Sequence, residues 1–262
     1  MFGWVFDVPL WIAGPALVAL LGGISLAGLL AVRARILPRM RISAEDSHFV
    51  GPLVHSIMVF YGLVLALIAV RGFETYSEST RIVSTEATAI AMLYRDFGSY
   101  PEPARSDLQT ALREYVEYVI HEAWPLQRRG RVPGGGVAKI DSVQAHLAGF
   151  EPVTEAQKAL HAETWRAYNH VIEARRARLA EVTAGLPAVM WLVVLLGAAI
   201  SLSASFFFRV EDVRLHATLV TLLATFMASV IFVVLAMDRP FRGDLGLSAE
   251  PYQLIHEHLM KH

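Results

Sequence analysis

The feature that most constrains this chain is the distribution of its charged residues. Its 23 Lys and Arg and its 24 Asp and Glu are absent from four windows, 8–32, 49–70, 182–208 and 215–237. These windows are 25, 22, 27 and 23 residues long, and about 20 helical residues cross the hydrocarbon core of a bilayer. Because backbone amides find no water in that core, each crossing must be a helix. The sequence therefore predicts an integral membrane protein with four transmembrane helices.

The remaining composition excludes several classes of protein. A net charge of −1 leaves no general basic surface for nucleic acid. The absence of Cys excludes disulfides, thiolate zinc sites and Cys nucleophiles. His121-Glu122 begins like a zinc-protease helix but has no second His at the fourth position, and His256 and His258 do not share one helix face. The sequence predicts no enzyme, no cofactor and no metal.

The polar residues between the windows predict how the chain is divided. Transmembrane helices 1 and 2 take 1–70, an extramembrane domain takes 71–185, transmembrane helices 3 and 4 take 186–237, and 238–262 is a tail with a short amphipathic helix. Apolar residues in the extramembrane domain recur at helical spacing, with no convincing strand. The predicted fold class is therefore all-α, with a helical domain inserted between membrane helices 2 and 3.

Helix signals divide the inserted domain further. The predicted helices cover 49–97, a segment that stops near Trp124, a short stretch 137–149, and a long run after residue 154. Pro101 and Pro103 separate the first two helices. Thr154 and Gln157 form a capping box at the start of the last one. The first helix is thus expected to continue unbroken from membrane span 2 into the polar domain.

The orientation follows from the basic residues of the short loops. Loops 33–48 and 209–214 lie on one side of the membrane and carry Arg33, Arg35, Arg39, Arg41, Arg209 and Arg214. Short cytoplasmic loops are enriched in Lys and Arg, whereas long domains are translocated largely regardless of charge. The bias therefore predicts cytoplasmic short loops and a periplasmic 71–185 domain.

Charged residues near the membrane predict structural ion pairs. If the helix leaving span 2 and the helix entering span 3 are antiparallel, residues at equal height face each other. This geometry places Glu78 level with Arg178 and Glu86 level with His170. It also places Arg71 at the same membrane edge as Asp238.

Polar residues inside the spans are candidates for lining a pore. Thr218, Thr221, Thr225 and Ser229 share one face of span 4, and His55 lies inside span 2. Polar groups at membrane depth face protein or water. The alternative is that the hydroxyls bond neighbouring helices or their own helix. In span 3, Gly197, Ser201 and Ser205 repeat at four residues and predict an edge where another helix approaches closely.

A charged motif follows span 4 directly. It consists of Asp238, Arg239, Pro240, Phe241, Arg242, Gly243 and Asp244. Pro and Gly make the chain leave the helix at this point. One interpretation is a structured exit from the membrane, and the other is a charged ring at a pore mouth. The amphipathic piece behind Pro251 is expected to lie along the membrane or on a neighbouring subunit.

Three stretches resemble the bacterial bestrophin-like domain family. They are 81–95, with Glu86-Ala87-Thr88-Ala89-Ile90; 111–125, ending in Glu122-Ala123-Trp124-Pro125; and the exit motif followed by Ser248-Ala249-Glu250-Pro251-Tyr252. The family usually has His where Arg239 stands here. The resemblance implies a multi-pass protein of the bacterial cytoplasmic (inner) membrane, related to bestrophins, which are pentameric anion channels with four transmembrane helices per subunit. It also implies a cytosolic helical insertion, opposite to the charge bias.

These observations lead to two hypotheses of function. The first is a homo-oligomeric ion channel, in which His55 and the span 4 hydroxyls face the lumen and Asp238 and Arg239 lie at its mouth. The second is a non-conducting sensor or scaffold, in which the spans hold the helical domain at the membrane for partner binding. A coupled transporter is disfavoured because no charged residue lies inside a span. The expected partners are the bilayer, ions and further copies of the chain.

Overall fold

The protein is described by a computed structural model that covers residues 8–39, 46–208, 210–244 and 246–261. Over these residues every regular element is helical, and no strand occurs. The helices are α1 (Leu10–Ala31), α2 (Asp46–Phe97), α3 (Ala104–Tyr118), α4 (Trp124–Gln127), α5 (Gly136–Ala148), α6 (Glu155–Glu181), α7 (Ala188–Ser205), α8 (Val213–Met237) and α9 (Glu250–Ile255). The all-α prediction is confirmed. Single π-helical turns, Val119–Ala123 and His256–Met260, continue α3 and α9.

Four helical segments are long and apolar enough to cross a membrane. They are Trp11–Arg39, Gly51–Phe97, Ala188–Ser205 and Val213–Met237. The four predicted spans are therefore confirmed. The second of them belongs to a helix of 52 residues, about 78 Å at 1.5 Å per residue. The prediction of one continuous helix from span 2 through Phe97 is therefore confirmed.

The chain forms two compact units. Unit 1 contains the chain up to Glu74 together with Gly185–Asp238, and unit 2 contains Thr75–Ala184 with Arg239–His262. Helix α2 contributes its first part to unit 1 and its second part to unit 2. The sequence predicted residues 238–262 as a separate tail. Residues from Arg239 onward belong to unit 2 instead, where Tyr252 and Met260 are part of the apolar core.

Unit 1 packs α1, α7, α8 and the first part of α2 around an apolar core. Arg33, just after α1, donates hydrogen bonds to the carbonyls of Val210 and Glu211 at 2.8 and 2.9 Å. The Arg33 guanidinium therefore links the two short loops. This contact is separate from the effect of its charge on the orientation of the chain in the membrane. Arg41 and Arg209 lie outside the described residues.

Small residues allow the closest approaches in unit 1. The ring of Tyr61 occupies the space that a Cβ at Gly197 would need, and its hydroxyl donates to the carbonyl of Val194 at 3.0 Å. Ser201 and Ser205, on the same edge of α7, are buried. The edge predicted from Gly197, Ser201 and Ser205 is therefore where α2 and α8 meet α7.

Unit 2 is a helical domain with an aromatic-rich core. Helix α6 begins with the predicted capping box, in which the Thr154 hydroxyl and the Gln157 backbone N–H pair at 3.2 Å. Buried apolar residues of α2, α3, α5 and α6 form the core, and Phe241 and Tyr252 from the C-terminal segment complete it. The four helices and the C-terminal segment thus depend on one another for the burial of their apolar residues.

Replacing Gly197 with Ala should destabilise unit 1, because the new Cβ would overlap the Tyr61 ring. Overpacking of this kind costs about 1–3 kcal/mol. Gly23 is the matched control, because a Cβ there meets nothing within 4 Å. Gly23→Ala should leave the melting temperature in detergent unchanged or slightly raised, since Ala is the better helix former. Equal melting temperatures for the two variants would contradict this packing.

Candidate functional site

The pore-lining candidates lie on the uncovered faces of unit 1. His55 is exposed on α2, and Thr218 and Ser229 are exposed on α8. Thr221 and Thr225 are half-buried at the edge of the same face. The chain therefore leaves an imidazole and a line of hydroxyls outside its own core at membrane depth.

Two of the hydroxyls on α8, those of Thr218 and Ser229, are satisfied within their own helix. Thr218 donates to the carbonyl of Arg214, and Ser229 to that of Thr225, each at 2.9 Å. Such bonds to the preceding turn are ordinary for Ser and Thr in membrane helices. Each hydroxyl oxygen retains lone pairs that can accept a hydrogen bond. The stripe is therefore compatible with lipid, with a neighbouring helix or with a water-filled lumen.

A second uncovered face was missed by sequence reasoning. Leu53, Phe60 and Leu67 are seven residues apart on α2, and Leu63 and Val70 repeat at the same distance beside them. All five are more than half exposed, so they form one apolar stripe. The seven-residue repeat was visible in the sequence, but in a charge-free window it was indistinguishable from general hydrophobicity.

Asp238 and Arg239, at the start of the exit motif, have different tasks. The Asp238 carboxylate accepts the backbone N–H of Leu186 at 2.6 Å, two residues before α7 begins. A carboxylate is favourable near a helix N-terminus. Arg239 donates to the carbonyls of Thr183 and Ala184 at 2.8 and 3.2 Å, and a cation is favourable just past a helix C-terminus.

The rest of the exit motif packs into unit 2. Phe241 is 1% exposed, and its ring lies 5.6 Å from that of Trp124. The Trp124 indole N–H donates to the carbonyl of Leu247 at 3.1 Å. Gly243 has φ of +76°, a conformation that L side chains rarely adopt, and its carbonyl accepts from Arg128 at 3.1 Å. These contacts favour a structured exit over a charged ring.

The most concentrated polar site is a buried ion pair in unit 2. Glu86 is 0% and Arg178 1% exposed, and the guanidinium donates to both carboxylate oxygens, from Nε at 2.5 Å and from Nη2 at 3.1 Å. The hydroxyls of Tyr115 and Tyr252 donate to the same carboxylate at 2.9 and 3.0 Å. Gln127 accepts from Arg178 Nη1 at 2.7 Å.

This arrangement keeps Arg178 charged. Burial lowers the pKa of Arg178, but the groups around it, Glu86 first among them, raise it further and leave the pKa well above its usual value. Burial, and then Glu86, raise the pKa of Tyr252 and Tyr115, so both phenols stay protonated as donors. The site offers no free acid, base or nucleophile, and it joins α2, α3, α4, α6 and α9.

The predicted register of the ion pairs is wrong. Glu78 does not pair with Arg178 but with Arg81 on its own helix, at 2.5 Å. Arg178 forms its ion pair with Glu86, the residue for which His170 was the predicted partner. Counting equal heights treated 182–187 as helix, whereas α6 ends at Glu181. Because a non-helical residue advances the chain further than the 1.5 Å of a helical residue, the residues of α6 lie at other heights than an all-helical count predicts. Arg71 forms an ion pair with Glu74 at 3.3 Å; its pairing with Asp238 stays a prediction.

A second polar cluster in unit 2 surrounds His161. Its Nδ1 lies 3.0 Å from the Tyr100 hydroxyl, and its Nε2 lies 3.0 Å from the Trp165 indole nitrogen. An indole N–H can only donate, so Nε2 must be the acceptor. The ring is therefore held neutral, and burial also lowers the pKa of His161.

Comparison with known proteins places these features in a family. The model of the bestrophin-like domain matches residues 21–252, which is most of the chain and includes the later part of the first span, the other three spans, the buried pair and the exit motif. The chain belongs to the bestrophin-like family. This family consists typically of channels rather than enzymes.

Solved structures show the same fold. A point variant of a bacterial bestrophin homologue from Klebsiella pneumoniae is similar with a TM-score of 0.64 at 10% identity, covering 95% of this chain and 98% of that one. A structure described only as a membrane protein has a TM-score of 0.61 at 11% identity, covering 95% and 97%. A second Klebsiella pneumoniae variant has a TM-score of 0.58 at 12% identity, covering 95% and 97%. No curated protein matches the chain.

Removing the Glu86 carboxylate should strongly destabilise this bestrophin-like protein. Glu86→Ala leaves a buried guanidinium and two tyrosine donors without their acceptor, and breaking a buried pair from one side costs about 3–5 kcal/mol. Glu78→Ala is the matched control, because it removes an exposed pair from the same helix and should change stability little. The measurement is the melting temperature of the two variants in detergent. Similar melting temperatures would show that the buried pair is not needed.

Unfolding should depend on pH through His161. The unfolded chain takes up a proton near pH 6.5 that the folded chain refuses, so the free energy of unfolding falls as pH drops below about 6.5. His161→Gln should flatten this slope, because the variant has no imidazole to titrate. Trp165→Phe should weaken it, because Nε2 becomes free to accept a proton. The test is denaturant unfolding at pH 8 to 5; parallel curves for all three proteins would refute it.

Proposed function

We propose that the protein is a homo-oligomeric ion channel of bestrophin-like type. The observation that carries the proposal is the exposure of His55 on α2, inside a membrane span of a chain whose family consists typically of channels. An imidazole facing lipid has no hydrogen-bond partner, and such residues normally face protein or water. An assembly of subunits around an axis supplies both a neighbouring protein surface and a water-filled lumen for His55 to face.

The uncovered faces of unit 1 are the surfaces that such an assembly uses. In this proposal His55, Thr218, Thr221, Thr225 and Ser229 contact the lumen or the neighbouring subunit that borders it. The hydroxyls of Thr218 and Ser229 already donate within α8, so in this proposal their oxygens accept hydrogen bonds from lumen water.

The apolar stripe of α2 has a separate role in the proposed channel. Rings of large apolar side chains around an axis form a constriction that closes a pore by excluding water. Leu63, Leu67 and Val70 are exposed at successive turns of one face, which is the arrangement that a constriction requires. The stripe would then set the closed state, and the polar groups would stabilise the wet part of the path.

One observation favours the alternative of a non-conducting membrane-anchored sensor or scaffold. The donors of Thr218 and Ser229 are satisfied without a lumen, so these hydroxyls do not by themselves require water. In that case unit 1 only anchors the chain in the membrane. The outer surface of unit 2 would bind partners, and its buried ion pair would hold the helices of unit 2 in place.

Conductance decides between the two functions. The purified protein should form a homo-oligomer, a pentamer in the bestrophin manner, by native mass spectrometry, and should give current in planar bilayers. His55→Ala and Leu67→Ser should change the single-channel conductance or the open fraction, since they alter the polar path and the constriction. Leu192→Ala, exposed on α7, should not. An oligomer with no current above that of empty vesicles would remove the channel and leave the scaffold.

We also propose an orientation in the bacterial cytoplasmic membrane. The arginines of the short loops favour their cytoplasmic location and a periplasmic unit 2. The chain has no Cys, so Gly134→Cys creates one site, at a position where a side chain meets nothing within 4 Å. A membrane-impermeant maleimide should label it in intact cells. Labelling only after lysis would assign the opposite orientation, with unit 2 in the cytosol.

A further inference from the structure

Four arginines come together on the surface of unit 2. Arg128, Arg129 and Arg131 follow α4 and are exposed, and Arg242 of the exit motif is half-buried. Residues 123–140 contain no Asp or Glu, so the segment that carries the first three arginines has no carboxylate of its own. These four residues are called the arginine cluster below.

The backbone fixes the position of the arginine cluster. The N–H of Arg131 donates to the carbonyl of Leu126 at 3.0 Å, and the N–H of Gly130 donates to that of Gln127 at 2.8 Å. Gly130 has φ of +71°. These two bonds and the positive φ define a Schellman turn, with which helices commonly end. The arginines are therefore presented by a turn of defined geometry.

Two contacts bring this turn against the exit motif within unit 2. Arg128 Nη2 donates to the carbonyl of Gly243 at 3.1 Å. A Cβ at Gly130 would lie 3.3 Å from the Cδ atom of Arg242, so the Arg242 side chain packs on the turn. The exit motif thus determines where the arginine cluster lies.

Two members of the cluster are available to a ligand. Among the described residues, no side chain forms a hydrogen bond or an ion pair with the guanidinium of Arg129 or Arg131. A cation is favourable at a helix C-terminus, which gives Arg128 and Arg129 a structural role, but Arg131 lies beyond the turn. The part of the exit motif in unit 2 has one carboxylate, that of Asp244, so the cluster keeps a net positive charge.

The length of the exit motif keeps the arginine cluster near the lipid surface. Gly243 follows Met237, the last residue of α8, by six residues. Six residues span at most about 21 Å when extended, and the N–H of Arg242 donates to the carbonyl of Arg239 at 2.9 Å, which folds this stretch into a turn. The headgroup layer is about 5–8 Å thick, and a charged surface acts over a further Debye length of about 8 Å. The long arginine side chains cover the remaining distance.

Phosphate is the group that such a cluster recognises. A guanidinium presents its N–H donors in a planar fork that matches two phosphate oxygens. Each Lys or Arg near an anionic lipid surface strengthens binding about fivefold. A zwitterionic lipid also carries a phosphate, but its own cationic group cancels the charge. The cluster therefore favours an anionic lipid over a zwitterionic one.

We propose that the arginine cluster binds the phosphate group of an anionic phospholipid of the surrounding membrane. Arg129 and Arg131 contact the headgroup, whereas Arg128 and Arg242 hold the turn on the exit motif. The bound lipid ties unit 2 to the membrane surface. This role is the same for a channel and for a scaffold, so it does not depend on whether the protein conducts ions.

A lipid titration of the purified full-length chain tests the proposal. In neutral detergent, phosphatidylglycerol should raise the melting temperature saturably and phosphatidylcholine should not, and native mass spectrometry should detect the bound lipid. The double variant Arg129→Gln, Arg131→Gln should need about 30-fold more phosphatidylglycerol for half of the effect. Its melting temperature without lipid should stay close to that of the wild type, because both side chains are exposed.

The matched control is the double variant Arg95→Gln, Arg105→Gln, which removes the same charge from unit 2. Arg95 lies 25 residues beyond the charge-free window of α2, about 37 Å along that helix, and Arg105 lies at the start of α3 in an exposed ion pair with Glu102. The control should reach half of the effect within twofold of the wild-type amount of lipid.

Three results would overturn the proposal. If Arg129→Gln, Arg131→Gln binds phosphatidylglycerol as tightly as the wild type, the lipid is bound elsewhere. If the control loses as much affinity, only net charge matters. If inorganic phosphate or phosphatidylcholine at the same concentration stabilises the protein as much as phosphatidylglycerol does, the cluster has no preference for an anionic lipid.

Discussion

The structure depends first on the bilayer's inability to hydrogen-bond the backbone. Four charge-free windows must be helices for this reason, and the helices have to be joined by polar segments outside the lipid. The same constraint explains why side chains bond the preceding turn, as Thr218 and Ser229 do. It also explains why an exposed imidazole such as His55 is informative, since nothing in lipid can satisfy it.

Outside the lipid, a different interaction organises the chain. The Glu86–Arg178 pair is buried with two tyrosines and a glutamine, and its members come from helices far apart in sequence. A buried pair of this kind contributes little net stability compared with apolar residues of similar volume, yet it penalises any arrangement that leaves one charge alone. We infer that it specifies how α2, α6 and the C-terminal segment come together. Tyr252 makes the C-terminal segment a part of unit 2 and not an appendage.

The proposed channel depends on surfaces that one copy of the chain leaves uncovered. Unit 1 presents uncovered polar groups on α2 and on α8 and an apolar stripe on α2, and the exit motif is occupied by contacts within each unit. Family membership supports the proposed channel, and the uncovered polar groups indicate where its ion path would pass. The hydroxyls of Thr218 and Ser229, which are satisfied within α8, are the observation that favours a scaffold.

The sequence by itself determined the helices: the four spans, the continuous helix through Phe97, the capping box at Thr154 and the close approach at Gly197. These features are local, because they depend on periodicity, capping chemistry and residue size within a few turns. Only the tertiary structure decided which charges meet. Glu86 could not be matched to Arg178 from spacing, since the non-helical residues between α6 and α7 change the rise per residue. Packing alone likewise brought Tyr100 onto His161 and Tyr252 onto Glu86, because contacts between distant segments depend on how helices cross and not on their sequence period.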